Sequence, residues 1–347
     1  MKNDKKINEI ELNFASIVND ISIPSLVDKK TSKGYINWGD DNKLPNYLYD
    51  NYLECSTLQA IVNQITDYVL GNGIETNYTS ISKEELEEII RKCVVDYLIF
   101  GGFAVEAIKS KLGKVVSVSY QNVMNIRVDE ELTTAFLSNK WGSWSGKDIV
   151  KLPLHKGNTS ENHFILYNRG HLTRGINPIP IYSGALKSVV TLNNVRDFHL
   201  NNLQNGFTAA CIINLNNGNI KTRELQEIKS QLQEKYCGSK NAGKFILLNG
   251  GDKEHAATIE RLNADNFGDQ YYALQESSIE DIYVAFRINP MLVGVNVETG
   301  FSKEEFENAY ALYYSTFVKP IQNMMIKEFK KIGIDFTFKP VQINWAN

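Results

Sequence analysis

The sequence predicts an α+β fold, and three observations carry that prediction. Apolar residues recur at helical spacing through several long segments, the period changes to two after Phe103, and Gly or Pro punctuates the changes of pattern. Helices followed by a small antiparallel sheet belong to the α+β class. With 347 residues, the chain has room for one large domain or two to three smaller ones. Its 43% hydrophobic and 22% charged residues are ordinary globular proportions, enough for a real core.

The first 45 residues read as a flexible N-terminal arm rich in Asn, Lys and Asp. Trp38-Gly39-Asp40-Asp41-Asn42-Lys43-Leu44-Pro45 makes a turn-rich entry to the folded part. From Ser56 as N-cap, Leu58, Ile61, Val62, Ile65, Tyr68 and Val69 fall at helical spacing, and Gly71 ends the helix. Ser82-Lys83-Glu84-Glu85 is a capping box for a second helix, which runs through Leu86, Ile89, Ile90, Cys93, Val94 and Tyr97 to Gly101-Gly102. Two strands, Phe103 to Ile108 and Val115 to Tyr120, turn around Gly113, and further strand-like pieces reach Tyr167.

After Gly175-Ile176-Asn177-Pro178-Ile179 a helix of roughly 24 residues, Ile181 to Gln204, would span about 36 Å. Asn205-Gly206 stops it. A β-α-β segment follows, with strands Ala209 to Ile213 and Lys244 to Leu248 around a helix carrying Leu225, Ile228, Leu232 and Tyr236. Tyr271 to Phe329 reads as a helix, the loop Asn289-Pro290-Met291-Leu292-Val293-Gly294, and a long helix opened by Phe301-Ser302-Lys303-Glu304-Glu305-Phe306. A last strand lies near Asp335 to Phe338, and no internal repeat stands out.

Charge and cysteine usage narrow the function. A net charge of −3 is not the basic balance of a protein that grips nucleic acid, although a mildly acidic surface can surround DNA by repelling it. Met1 to Glu11 is mostly charged, so no secretory signal is expected, and no run of about 18 uncharged apolar residues predicts a membrane span. Cys55, Cys93, Cys211 and Cys237 are scattered without a C-x-x-C pair and read as reduced thiols of a cytosolic protein.

Catalytic signatures are missing. Neither G-x-x-x-x-G-K-[ST] nor G-x-G-x-x-G occurs, and Gly238 to Lys244 only superficially resembles a phosphate loop, without its spacing or trailing hydroxyl. G-x-S-x-G is absent, and the five histidines show no metal spacing. Asp40-Asp41 could hold Mg²⁺ with a distant carboxylate, but an acidic pair in Gly-Asp-Asp-Asn reads first as a turn. No metal, cofactor or catalytic constellation is expected, and the chain is read as a non-enzyme.

Several of these motifs stand in a shared order. Phe100-Gly101-Gly102-Phe103-Ala104-Val105-Glu106 looks like a glycine-containing entry to a first hairpin. Gly175-x-x-Pro178-Ile179 is similar to a G-x-S-P segment that starts a long helix, and Asn205-Gly206 to the N-G that closes it. Gly238 to Lys244 resembles G-x-x-N-A-G-K, and Asn289-Pro290-Met291-Leu292-Val293-Gly294 is similar to V-P-P-x-L-L-G. Phe301-Ser302-x-x-Glu305, then Phe317 and Pro320, completes the order over residues of about 96 to 330. The chain thereby resembles the tailed-bacteriophage portal proteins of the siphophage head–tail connector type, rings through which DNA enters and leaves the capsid.

That resemblance implies a portal-type fold with a wing α/β domain at 46–180, a first stem helix at 181–205 and a small α/β clip at 206–265. A second stem helix at 266–288, a tunnel loop at 289–302, and a wing helix with a C-terminal strand at 303–347 complete it. The crown of the family would be absent or reduced to that strand, and Asn289 stands where the family has Val. The implied partners are a homo-oligomeric ring of about 12 subunits, the terminase large subunit, major capsid and scaffold proteins, a head–tail adaptor, and double-stranded DNA passing without sequence specificity. No membrane is involved. The implied location is the capsid portal vertex of the virion, with assembly in the host cytoplasm.

Within the tunnel loop, Val295, Asn296, Val297, Glu298, Thr299 and Gly300 would meet the duplex, with Gly294 and Gly300 as hinges. Among the acidic residues before the loop, Glu276, Glu280 and Asp281 are candidates to face the channel and repel DNA; the alternative is a solvated helix face. Lys221, Arg223, Lys229 and Lys235 mark the clip surface for docking terminase and adaptor. The two long helices could equally be a helical hairpin in a monomeric core. The alternatives at the level of function are a metal-dependent nuclease, or other DNA-processing protein of a mobile element, and a monomeric binding module.

Overall fold

The computed structural model describes residues 23–141, 148–157, 161–204, 211–215, 245–249, 258–261, 267–295 and 302–341. The chain enters through two short paired strands, β1 (Lys29–Lys30) and β2 (Ile36–Asn37). Residues 23–45 were expected to be loose, yet they pack. Trp38 is 1% exposed, and its indole N–H donates to the Pro178 carbonyl at 3.2 Å. A large apolar ring with its one donor satisfied favours burial, which draws this segment into the core.

The spacing does not announce helix α1 (Leu44–Glu54), which carries Pro45 in its first turn, where a missing N–H costs little. Helix α2 (Ser56–Leu70) follows after one buried residue, Cys55, which is the N-cap in place of the expected Ser56. The single residue between the two helices takes the cap position, and as a cysteine it makes no side-chain cap bond. At the far end Gly71 has φ 56°, and a Cβ there would sit 2.1 Å from the Lys339 carbonyl oxygen, so only glycine fits. Strand β3 (Ile74–Thr76) pairs antiparallel with the strand Phe336–Phe338 near the other end of the chain.

Helix α3 (Lys83–Phe100) begins as predicted, with the Ser82 hydroxyl accepting the Glu85 N–H at 3.1 Å. It stops at Gly101, φ 85°, where a Cβ would meet the Ile179 carbonyl oxygen at 2.1 Å. Strand β4 (Phe103–Lys109) returns along it and lies between β5 (Val115–Gln121) and the later strand His163–Asn168 in an antiparallel sheet. A second sheet joins β6 (Ile126–Val128), β7 (Thr134–Leu137) and β8 (Val150–Pro153), and β9 is the strand His163–Asn168.

Helix α4 (Leu186–Gln204) starts five residues later than expected, after a 3₁₀ turn at Ser183–Ala185. Fully buried Tyr182 donates its hydroxyl to the Ile99 carbonyl at 3.2 Å and holds the chain against α3 before the helix begins. Strands β10 (Cys211–Leu215) and β11 (Phe245–Asn249) lie parallel in register. Parallel neighbours need a crossover, as the β-α-β reading of this segment expects. The third strand, β12 (Thr258–Arg261), runs antiparallel on the other side of β10 and was not foreseen.

Helix α5 (Phe267–Ala285) runs back along α4: Ser188 meets Asp281 at one end, and the His199 and Tyr271 rings lie 5.8 Å apart at the other. After a 3₁₀ turn at Pro290–Val293 comes one long helix in three parts, α6 (Lys303–Tyr313), a π turn (Tyr314–Val318) and α7 (Lys319–Lys330). Strand β13 (Phe336–Phe338) closes onto β3. One continuous apolar core joins α2, α3, α5, α7 and the inner face of the β4 sheet; a smaller one lies under β6 and β7.

Candidate functional site

The helix pair α4–α5 and the segment after it hold the predicted functional residues. On α5, Ser278, Ile282 and Tyr283 are buried, as is Phe286 just beyond it, whereas Glu276, Glu280 and Asp281 are exposed. Asp281 differs from the two glutamates. Its Oδ2 accepts the Ser188 hydroxyl at 2.7 Å, so its carboxylate is held at the seam with α4. Val295 is 44% exposed; Asn296, Val297, Glu298, Thr299 and Gly300 lie outside the described residues, as do Lys221, Arg223, Lys229 and Lys235. The phosphate-like stretch Gly238 to Lys244 is outside them too.

Both ends of the candidate loop are pinned. On the incoming side the Asn289 carboxamide oxygen accepts the Met291 N–H at 3.0 Å, and Gly294 takes the left-handed conformation at φ 79°. Buried Leu292 gives its carbonyl to the Tyr68 hydroxyl at 2.7 Å, which ties this turn to α2. On the outgoing side Ser302 and Glu305 form a complete capping box, with Ser302 N–H on the Glu305 carboxylate at 2.7 Å and Glu305 N–H on the Ser302 hydroxyl at 3.1 Å. The backbone hydrogen bond holds the Glu305 carboxyl below its ordinary range.

Arg287 closes α5 in an unusual way. Its φ is 52°, a left-handed position that glycine usually takes at a helix end. The guanidinium lies 5.0 Å over the Phe317 ring, a cation–π contact that helps hold this backbone. Phe317 sits in the π turn, where the Ser315 and Thr316 hydroxyls donate to the Leu312 carbonyl at 2.9 and 2.8 Å. A π turn shifts the ladder by one residue, and such hydroxyls can satisfy the carbonyl it displaces. Buried Gln322 fixes this point to α2, donating to the Val69 carbonyl at 2.8 Å and accepting the Tyr314 hydroxyl at 3.1 Å. A cleft of about 450 Å³ opens here, lined by Tyr97, Leu172, Arg287, Phe317, Ile321 and Met324 among others.

Two buried polar groups elsewhere went unread in the sequence. Asp96 on α3 is 4% exposed, and its carboxylate accepts the Tyr120 hydroxyl at 3.0 Å and the Val123 N–H at 3.2 Å. Burial outweighs both bonds and pushes its pKa up to about 7. Arg127 is fully buried between the Trp38 and Trp141 rings, and it donates to Asn42 and to the Met124 and Ile126 carbonyls. Burial lowers its pKa to about 9, so it stays charged at neutral pH. Only the spacing of interactions in space reveals these two; neither residue sits in a motif.

The Asp40-Asp41 pair belongs to a turn: Asp41 accepts the Lys43 N–H at 3.1 Å, and Asp40 pairs with Lys29 at 3.2 Å. Among the described residues, no group of three His, Cys, Asp or Glu is placed to hold a metal ion, and no helix is long and apolar enough to cross a membrane.

The family model described as phage portal protein matches residues 84–340, from α3 to the last strand. The chain belongs to the phage portal protein family. The match includes the helix pair, the small sheet between its members and the long three-part helix, the order the motifs had implied. Solved structures agree on the fold. The neck of a native GTA particle, computed with C12 symmetry, matches at TM-score 0.54 and 13% identity, over 85% of this chain and 84% of that one. An HK97 family phage portal protein from Corynebacterium diphtheriae matches at TM-score 0.50 and 8% identity, over 84% and 94%. An uncharacterized protein of Rickettsia bellii (strain RML369-C) is 31% identical over 118 residues, which are 33% of this chain and 29% of that protein. The alignment thus spans less than a third of that curated relative. Portal proteins are structural components, so this chain's surfaces matter more than any pocket.

Proposed function

We propose that this chain is the subunit of a ring at the capsid portal vertex of a phage or prophage particle, through which double-stranded DNA is packaged and ejected. The observation that carries the reading is the portal family match over 84–340, laid on an antiparallel pair of long helices that brackets a small three-stranded sheet. In this reading 46–180 is the wing, α4 and α5 are the stem, β10 to β12 belong to the clip, and 289–302 is the tunnel loop. The N-terminal segment and the wing helix with β13 complete the subunit. The necks of GTA particles among the similar structures support a ring and a place in the particle neck.

The channel surface is proposed to carry Glu276 and Glu280, both exposed on α5. Carboxylates facing the duplex would keep phosphates from exchanging their counterions for protein cations, so that DNA slides instead of sticking. Asp281, engaged by Ser188, is left out of this role. The tunnel loop, Val295 to Gly300, would touch the duplex, and the clip residues Lys221, Arg223, Lys229 and Lys235 would dock the terminase large subunit and later a head–tail adaptor. Major capsid and scaffold proteins would surround the wing. No catalytic role is assigned to any residue.

Negative-stain electron microscopy of the purified full chain, at low and high salt, tests the reading. Rings with a central hole of roughly 20 Å or more, wide enough for a duplex, are expected, and they would supply the subunit number. Small globules that persist after co-expression with capsid and scaffold proteins would end the ring, and Mg²⁺-dependent nuclease activity on DNA would then be the next assay.

A further inference from the structure

Helix α6 has a packed side and an open side: Phe306, Ala309 and Tyr310 lean on the core, and the Tyr310 ring lies 5.0 Å from that of Tyr68. Of its eleven residues only Tyr313 is buried, while Glu304, Asn308 and Leu312 recur every fourth position and form one outward stripe. Leu312 is 67% exposed. The Glu304 side chain is exposed and has no hydrogen bond or ion pair among the described residues.

The cleft beside the π turn has the opposite character. Leu172, Ile181, Phe317, Ile321 and Met324 give it an apolar lining, and Arg287 stands exposed at it with no carboxylate within ion-pair distance among the described residues. The ridge offers an acid and a leucine; the cleft offers a cation and apolar walls. Among the described residues neither Glu304 nor Arg287 has an ion-pair partner, and Glu304 lies thirteen residues before Phe317 on the same long helix, about 20 Å along it.

Resting on the ring reading above, we propose that the Glu304–Asn308–Leu312 ridge of one copy seats in the Arg287–Phe317–Met324 cleft of the next. Two unlike surfaces that fit one another make a heterologous contact, the kind that builds closed rings. Leu312 meets Ile321 and Met324, and Glu304 meets Arg287. The contact lies at the root of the tunnel loop, so neighbouring loops are set relative to one another by it.

Paired cysteines decide the matter. Leu312 and Met324 are twelve residues apart on one helix, about 18 Å, too far for a disulfide within a chain. In the assembled full-length double variant Leu312→Cys/Met324→Cys, mild oxidation is expected to give a ladder of bands up to the full ring, while either single variant and the unaltered chain give none. Charge reversal is the second measurement. Arg287→Glu should lower the assembled fraction about tenfold with unchanged far-ultraviolet circular dichroism, and Arg287→Glu/Glu304→Arg should restore it. Rings that assemble without a ladder overturn the proposed contact but leave the portal reading standing. Rings that stay intact in Arg287→Glu but lose DNA retention would mean that the cleft takes phosphate, and this also overturns it. If the unaltered chain forms no assembly even with capsid and scaffold proteins, the contact and the ring fall together.

Discussion

Two helices of this chain open with the same four residues, Ser-Lys-Glu-Glu, and end in opposite surroundings. In α3 the Ser82 hydroxyl caps Glu85 N–H, and in α6 the Ser302 hydroxyl caps Glu305 N–H, both at 3.1 Å. From Leu86 onward α3 fills the core, with Phe100 1% exposed at its end. Helix α6 buries Tyr313 fully and leans Phe306, Ala309 and Tyr310 on the core, while its other side stays open. The cap decides where a helix starts; what it packs against decides how much holding it together depends on the rest of the molecule.

The largest effect that separates them is expected in the core. Phe100→Ala should cost about 3–5 kcal/mol in urea or thermal unfolding, since it removes a ring packed against Trp38 and Tyr49. Leu312→Ala, at an equally apolar residue of α6, should stay within about 0.5 kcal/mol in the unassembled chain. A comparable loss from Leu312→Ala would mean that Leu312 itself is packed in the subunit's own core, and the comparison would fail.

The next effect depends on pH. Burial raises the Asp96 carboxyl in the folded state from its ordinary 3.8 to about 7, so the native chain binds its proton first. Stability from this group is greatest below about pH 4 and is lost as pH rises towards 7, with a slope approaching ~1.4 kcal/mol per pH unit. Asp96→Asn should remove that slope when unfolding is followed from pH 4 to 7. An unchanged slope would show that Asp96 is not a buried titrating group.

Smaller effects test the caps themselves. Ser82→Ala should lower global stability by about 1 kcal/mol, because α3 unfolds only with the core. Ser302→Ala should cost a similar amount locally, seen as faster amide exchange across 303–308, with little change in the global midpoint. Equal shifts in the midpoint would place α6 in the same cooperative unit as α3. The smallest expected change is in DNA passage: Glu276→Lys with Glu280→Lys should leave stability within about 0.5 kcal/mol and make DNA retention by assembled rings steeper in salt.

Much of this arrangement was legible from sequence. Ser82 and Ser302, Gly71 and Gly101, and the apolar spacing of α2 and α3 act through contacts within a few residues, so their outcome is written locally. The parallel pairing of β10 with β11 accords with strands separated by a helical pattern. The misses have a common cause. Helix α1 is short, and Trp38 is buried because Pro178, 140 residues away, accepts its N–H. The left-handed Arg287 cannot be read at all, since nothing in an arginine requires a positive φ.

The sequence alone determined the order of helices and strands, most of their ends, and through that order the portal family, because caps, glycines and hydrophobic period are short-range properties of the chain. Tertiary structure decided which polar groups lie buried, where the long helix takes its π turn, and that a cation-bearing cleft and a bare acidic ridge stand apart on one subunit. Those features arise where segments distant in sequence meet, and burial energies there are set by neighbours that no local pattern names.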